Sequence, residues 1–147
     1  MPVATHTDLD QIRDLKARYA RYADTKQWEK VAGLFTDDAV MRFRDVDGNL
    51  THEVTAAEFA RTIGSRVGAG QPVHHLFSHE VTFASDTTAQ GVWAMEDLIF
   101  HDREAHPKAP FSFMHGFGHY HDTYRKIDGE WYISGSELTR LRMEIVD

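Results

Sequence analysis

The sequence predicts an α+β domain, with helices in its first half and long antiparallel strands in its second. Three observations carry that expectation. Apolar residues recur at helical spacing as far as Val67. Gly68, Gly70 and Pro72 then break the helical period. From Val73 onward, strand-like runs alternate with turn signals, of which Asp128-Gly129 is the strongest.

Taken in order, Thr7 and Asp10 give a weak capping-box signal before an amphipathic run. Ile12, Leu15, Tyr19 and Tyr22 follow on one helix face. A second helix is expected over residues 26–35, on Trp28, Val31, Leu34 and Phe35, ending at Thr36-Asp37-Asp38. Residues 39–44 read as a strand and residues 45–49 as a turn. Thr55 and Glu58 form a good capping box for a third helix, with Phe59, Ile63 and Val67 one turn apart. Four strands are expected at about 73–84, 89–102, 111–126 and 130–142. Helices first and strands after suit an α+β layer architecture. The strands are long and alternate imperfectly, as in a sheet curved over a pocket.

The 147 residues match one domain, expected to span 1–147. Cysteine is absent, which excludes disulfides, thiolate nucleophiles and cysteine metal sites. The formal net charge is −7 with Lys and Arg scattered, so no basic stripe is available for nucleic acid. No run approaches the roughly 20 apolar residues of a membrane span. The N-terminal stretch shows no signal peptide, and a cytoplasmic location is expected. The 17 aromatic residues are enough to line an apolar pocket, although aromatics also fill ordinary cores.

Several stretches carry a resemblance: Tyr19-Ala20-Arg21-Tyr22-Ala23-Asp24, Trp28, Leu34 to Ala39, Val73-His74, Gly91 to Asp97, Gly118-His119-Tyr120, and Tyr124 to Trp131. Together they resemble the SnoaL-like family of the nuclear-transport-factor-two-like superfamily. That superfamily also holds scytalone dehydratase, steroid isomerase, limonene epoxide hydrolase and lindane dehydrochlorinase. The ending Leu138-Thr139-Arg140-Leu141-Arg142 is similar to the branch nearest bile-acid 7α-dehydratase. The resemblance covers nearly the whole chain. It implies a cone of curved antiparallel sheet with three N-terminal helices around one apolar pocket. For reaction it is less specific, because the fold hosts isomerases, cyclases, dehydratases, hydrolases and non-catalytic binders.

In the dehydratase and dehydrochlorinase group, an Asp near the end of the first helix faces a His on the first long strand. Asp24 and His74 match those positions. The resemblance implies that His74 takes a proton from carbon while Asp24 fixes its tautomer and stabilises the imidazolium. Read from the residues alone, Asp24 could cap the second helix and His74 could be a core histidine. Tyr19 and Asp24 are five residues apart, about 140° around a straight helix, so spacing does not put them on one face. Tyr19 matches a tyrosine that hydrogen-bonds the substrate oxygen in the dehydratases; it could equally be a core aromatic with its hydroxyl at the edge.

Other candidates come from the strands. Asp97 lies on the alternating face Trp93, Met95, Asp97, Ile99, and a carboxylate among apolar neighbours is costly unless it is paired. Were that face the outer one, Asp97 would be a solvated charge. Alignment with scytalone dehydratase implies that Tyr120 faces the pocket, with Asp122 deeper as a support. Trp93, Met95, Met41 and Phe43 are expected on the pocket wall. His119 and His121 have the i, i+2 spacing of a chelating pair, but the glycine that the cupin pattern needs at Phe117 is absent, and no metal is expected. The dehydratase patterns carry a second His or an Asn where this chain has apolar residues or Tyr120.

These residues suit a cofactor-independent lyase acting on a hydrophobic ring compound, by dehydration or by a related proton-transfer isomerisation. The alternatives are a non-catalytic carrier, a polyketide cyclase, or an epoxide-hydrolase-like enzyme. The outer sheet face is expected to carry several of Phe77, Phe83, Phe100, Phe113 and Tyr132, and so to support a dimer or trimer.

Overall fold

The structure is a computed structural model and describes residues 6–147. Helix α1 spans Asp8–Asp24 and opens on a complete capping box. The Thr7 hydroxyl accepts from the Asp10 backbone N–H at 3.1 Å, and the Asp10 carboxylate accepts from the Thr7 N–H at 3.0 Å. Its buried stripe is Ile12, Leu15, Lys16, Tyr19, Ala20 and Ala23.

Helix α2, Trp28–Ala32, is shorter than the expected 26–35. Gly33 closes it, and the chain beyond pairs with another element instead. The Thr36 N–H donates to the Ile133 carbonyl, and the Ile133 N–H to the Leu34 carbonyl. Those sheet bonds take the groups that a longer helix would have used.

Strand β1, Val40–Arg44, turns into β2, Leu50–Thr55, across a loop in which Asp45 accepts from the Asp47 and Asn49 N–H groups. Sequence reading does not reach β2, because only Val54 of its six residues is buried and the strand shows no alternation. Thr55 stands at the N-cap of α3, Ala56–Val67, but its side chain makes no capping bond. The Ala56 N–H donates to the Ala39 carbonyl, so the expected capping box is replaced by a backbone bond.

The remaining strands are β3 Gln71–Phe83, β4 Thr88–Phe100, β5 Phe113–Ile127 and β6 Glu130–Val146. The six strands form one sheet in the order β2-β1-β6-β5-β4-β3. All neighbours are antiparallel except β1 and β6. Asp128 and Gly129 both adopt positive φ, 51° and 83°, as a type I′ hairpin turn requires. Irregularities at Leu76/His79, Phe117/Gly118 and Thr123/Tyr124 bend the sheet, which stays open.

The concave face carries Trp93, Met95, Tyr120, Tyr124, Ile133 and Leu138, which pack with the apolar stripes of the helices in one core. Phe100, Phe113 and Phe117 stand on the convex face. Phe83 does not join them: it pairs with Ala89 and meets Trp131 edge-on at 5.8 Å, on the concave side. Phe77 falls in the β3 irregularity, beside Ala17 and Arg21 of α1. No described helix is long and apolar enough to cross a membrane.

Candidate active site

A cavity of about 410 Å³ opens between the sheet, α3 and the β1–β2 hairpin. Strand pairing builds its closed end. His74 on β3 is the register partner of Asp97 on β4, and Asp97 is the partner of Gly116 on β5. Register partners in an antiparallel pair share a face, so His74 and Asp97 project into the same space. Tyr120 from β5, Leu138 and Arg140 from β6, and Tyr19 from α1 complete that end.

Asp24 and His74 meet. Asp24 Oδ1 lies 2.6 Å from His74 Nδ1. Asp24 does not line the cavity; it stands behind His74, in a shallow groove between α1 and β3. The second ring nitrogen of His74 is therefore the one available to a ligand. This arrangement resolves the 140° separation of Tyr19 and Asp24. The two residues do not share a helix face, and His74 bridges them by donating its Nδ1 hydrogen to Asp24 on one side and facing the cavity on the other.

Tyr19 and Tyr120 are both almost fully buried, with rings 5.6 Å apart and edge-on at 77°. Burial pushes both phenols above their usual range, so both stay neutral and can donate hydrogen bonds. Asp97 is buried and holds Arg140 in a two-armed ion pair, the longer arm 2.9 Å. Burial works against the Arg140 charge, but hydrogen bonding and attraction from Asp97 outweigh it and hold the guanidinium above its usual value. The pair crosses directly over Gly116. A Cβ there would lie 2.6 Å from Asp97 Oδ1 and collide with Arg140 Nη1.

A second buried ion pair lies on the far side of the phenols. Lys16 and Asp122 have fully buried side chains 2.8 Å apart. The ammonium also lies over the rings of Tyr120 at 3.7 Å and Tyr19 at 4.3 Å. Burial pulls the Lys16 ammonium below its usual value against the pull of Asp122. Asp122 also accepts from Ser136 at 2.6 Å and from Tyr124 at 2.8 Å, and Tyr124 accepts from the Trp93 indole at 2.8 Å.

Of the residues singled out in the sequence, Tyr19, His74, Asp97, Tyr120 and Phe43 line one cavity. Asp122 does not line it and is buried against Lys16, Ser136 and Tyr124. Met41, Trp93 and Met95 depart from the expectation of a wall position. They are buried in the core and do not line the cavity, and Trp93 lies beside Asp10, Arg13 and Ala17 of α1. Trp93 stacks on His79 at 4.5 Å instead. His119 and His121 stand on the convex face, their rings 6.3 Å apart, and His121 Nε2 is 3.0 Å from the Thr139 hydroxyl.

Sequence reasoning missed Arg140 and Lys16. Arg140 continues the alternation Ser136, Leu138, Arg140, whose first two members are buried. Lys16 sits inside the α1 stripe, four residues after Ile12 and three before Tyr19. In both cases a charged residue at a buried period was the available signal.

Comparison with known proteins places this geometry among relatives. A family model described as SnoaL-like domain matches residues 4–137. A curated relative, the probable cyclase FGR4 of Gibberella zeae, is 23% identical over 144 residues, covering 92% of each chain. The solved structure of Kfla4162 from Kribbella flavida superposes with a TM-score of 0.81 at 23% identity, covering 95% of this chain and 94% of that one. A Novosphingobium aromaticivorans structure, provisionally named a scytalone dehydratase, gives 0.77 at 18% identity, covering 95% and 88%. At these identities the solved structures establish the fold.

Proposed function

The chain belongs to the SnoaL-like domain family, and we propose that it is a lyase that removes water from a hydrophobic, ring-containing hydroxyketone. The observation that carries this reading is the 2.6 Å contact between Asp24 and His74, which sets the His74 ring beside the Tyr19 and Tyr120 phenols and the Asp97–Arg140 pair at one end of a largely apolar cavity.

The free ring nitrogen of His74 takes the proton α to the carbonyl. Asp24 accepts the Nδ1 hydrogen, so the tautomer with a bare Nε2 faces the substrate, and the carboxylate stabilises the imidazolium as it forms. Negative charge moves to the carbonyl oxygen, where the Tyr19 and Tyr120 hydroxyls donate hydrogen bonds. The Arg140 guanidinium adds positive charge at that end and is itself oriented by Asp97. As the C–O bond at the β carbon breaks, the imidazolium returns its proton to the departing hydroxyl. Water leaves, a C=C bond remains, and every protein group regains its starting state.

The same base serves proton-transfer isomerisation or cyclisation when the substrate lacks a leaving group. The name of the Gibberella relative favours cyclisation as the second reading. A plain carrier has less support, because an entirely apolar pocket would serve it, whereas this cavity brings two phenols, an imidazole and an ion pair to one end. An epoxide-hydrolase arrangement needs two carboxylates on one arginine, and Arg140 has one carboxylate partner among the described residues.

The test is a screen of hydroxylated polycyclic ketones, followed by mass spectrometry for loss of water. Turnover of at least one member that depends on His74 supports the lyase. Tight binding across the set without chemical change supports the carrier in its place.

A further inference from the structure

Among the described residues, the charged side chains of Asp, Glu, Lys and Arg that line the cavity are partnered, with one exception. Asp97 and Arg140 satisfy each other at the closed end. Arg44 pairs with Glu137 and donates to the Gly48 carbonyl. Asp45 is engaged by the backbone of its own turn. Arg66 lines the same cavity from the last turn of α3, yet among the described residues no carboxylate lies within ion-pair distance of it.

Position adds to this. The exposed lining residues are Val46, Thr51, His52, Arg66 and Met143, and the first four, from the β1–β2 hairpin and α3, form one side of the opening. Arg66 and His52 both line this side of the opening, and burial and then the Arg66 charge hold the His52 ring below its usual value. The chain carries a formal net charge of −7, which repels anions overall. A single uncompensated guanidinium at the mouth of an apolar cavity stands against that background. Arginine offers a planar fork of donors that suits a carboxylate or sulfonate.

We propose that Arg66 binds an anionic group at the mouth, and that the cavity takes amphipathic ring compounds bearing one carboxylate or similar monoanion at the end that stays near solvent. This rests on reading the cavity as the site for a ring compound. A competing role for Arg66 is to complement the α3 carbonyls electrostatically, since cations are favoured in a last helical turn. That role concerns folding stability and makes no distinction between ligands.

Two dyes with the same ring system separate the cases: 1-anilinonaphthalene-8-sulfonate and its uncharged parent, N-phenyl-1-naphthylamine. Affinities of the full chain are measured by fluorescence titration for wild type and Arg66→Gln, with circular dichroism melts to confirm that the variant folds. The expected result is binding of both dyes to the wild type, with Arg66→Gln weakening the sulfonate dye roughly two- to five-fold and leaving the neutral dye unchanged. Added salt should erode sulfonate binding in the wild type and much less in the variant. If Arg66→Gln weakens both dyes alike, or neither, the anion site is overturned while the apolar cavity stands. If neither dye binds the wild type, the ring-compound reading of the cavity fails and takes the anion site with it.

Discussion

Asp24 Oδ1 lies 2.6 Å from His74 Nδ1, yet only His74 faces the cavity. Asp24 is therefore a positioning residue, and its effect should be visible without any substrate. In nitrogen-edited NMR of the free protein, His74 should show a protonated Nδ1 and a bare Nε2. Asp24→Asn should disturb that preference, because an amide can hold either tautomer. An unchanged tautomer in Asp24→Asn would remove Asp24 from the account.

Gly116 is where the Asp97–Arg140 pair crosses β5, and a methyl group there meets both side chains. Gly116→Ala should lower stability by about 1–3 kcal/mol, as overpacking of a filled site does. Activity should fall with it. Urea unfolding checks the first effect and turnover the second. Gly129, whose added Cβ would meet nothing but whose φ is 83°, offers a contrast: Gly129→Ala should cost stability through backbone strain and leave the site intact.

Lys16 and Asp122 are buried together beneath the two phenols. Lys16→Met leaves a buried carboxylate without its cation and should cost about 3–5 kcal/mol. The double variant Lys16→Met/Asp122→Asn should recover much of that loss, since a neutral pair needs no charge compensation. Denaturant midpoints for Lys16→Met, Asp122→Asn and the double variant give the coupling directly. Additive losses would contradict it.

Acid sensitivity should be traceable in part to Asp8. Hydrogen bonds from the Trp131 indole and the Lys126 ammonium hold its carboxyl below the ordinary 3.8. The unfolded chain therefore takes up this proton first as pH falls. The stabilisation is present above the ordinary carboxylate value and is lost as pH drops through the folded one. Asp8→Asn should show a smaller fall in melting temperature than wild type between about pH 6 and about pH 3. An equal fall in both would exclude Asp8 as a contributor.

Much of the fold was legible because local rules agreed with the global one. The α1 stripe, the break at Gly68 and the Asp128-Gly129 turn each mean one thing locally and the same thing in the structure. The failures have physical causes. Strand β2 is an exposed edge with one buried side chain, so it carries no periodic signal. The short α2 follows from long-range pairing of Leu34 and Thr36 with β6, which no local window contains. At the site, Tyr19, His74 and Tyr120 were recognisable by resemblance. Arg140 was not, because its role depends on the His74–Asp97–Gly116 register across three strands. Met41, Trp93 and Met95 share the concave face with the site but are packed into the core rather than onto the cavity wall, and face periodicity does not distinguish the two positions.

The central claim is that His74, held by Asp24, removes a proton from carbon. Single-turnover rates of wild type, His74→Ala, Asp24→Asn and the double variant on one hydroxylated ketone test it most directly. The account predicts that His74→Ala loses roughly 10²- to 10⁴-fold. Asp24→Asn should lose much of the same factor, and the double variant should be little slower than His74→Ala alone, because the two act as one unit. Full activity in His74→Ala, or independent losses that multiply in the double variant, would contradict it.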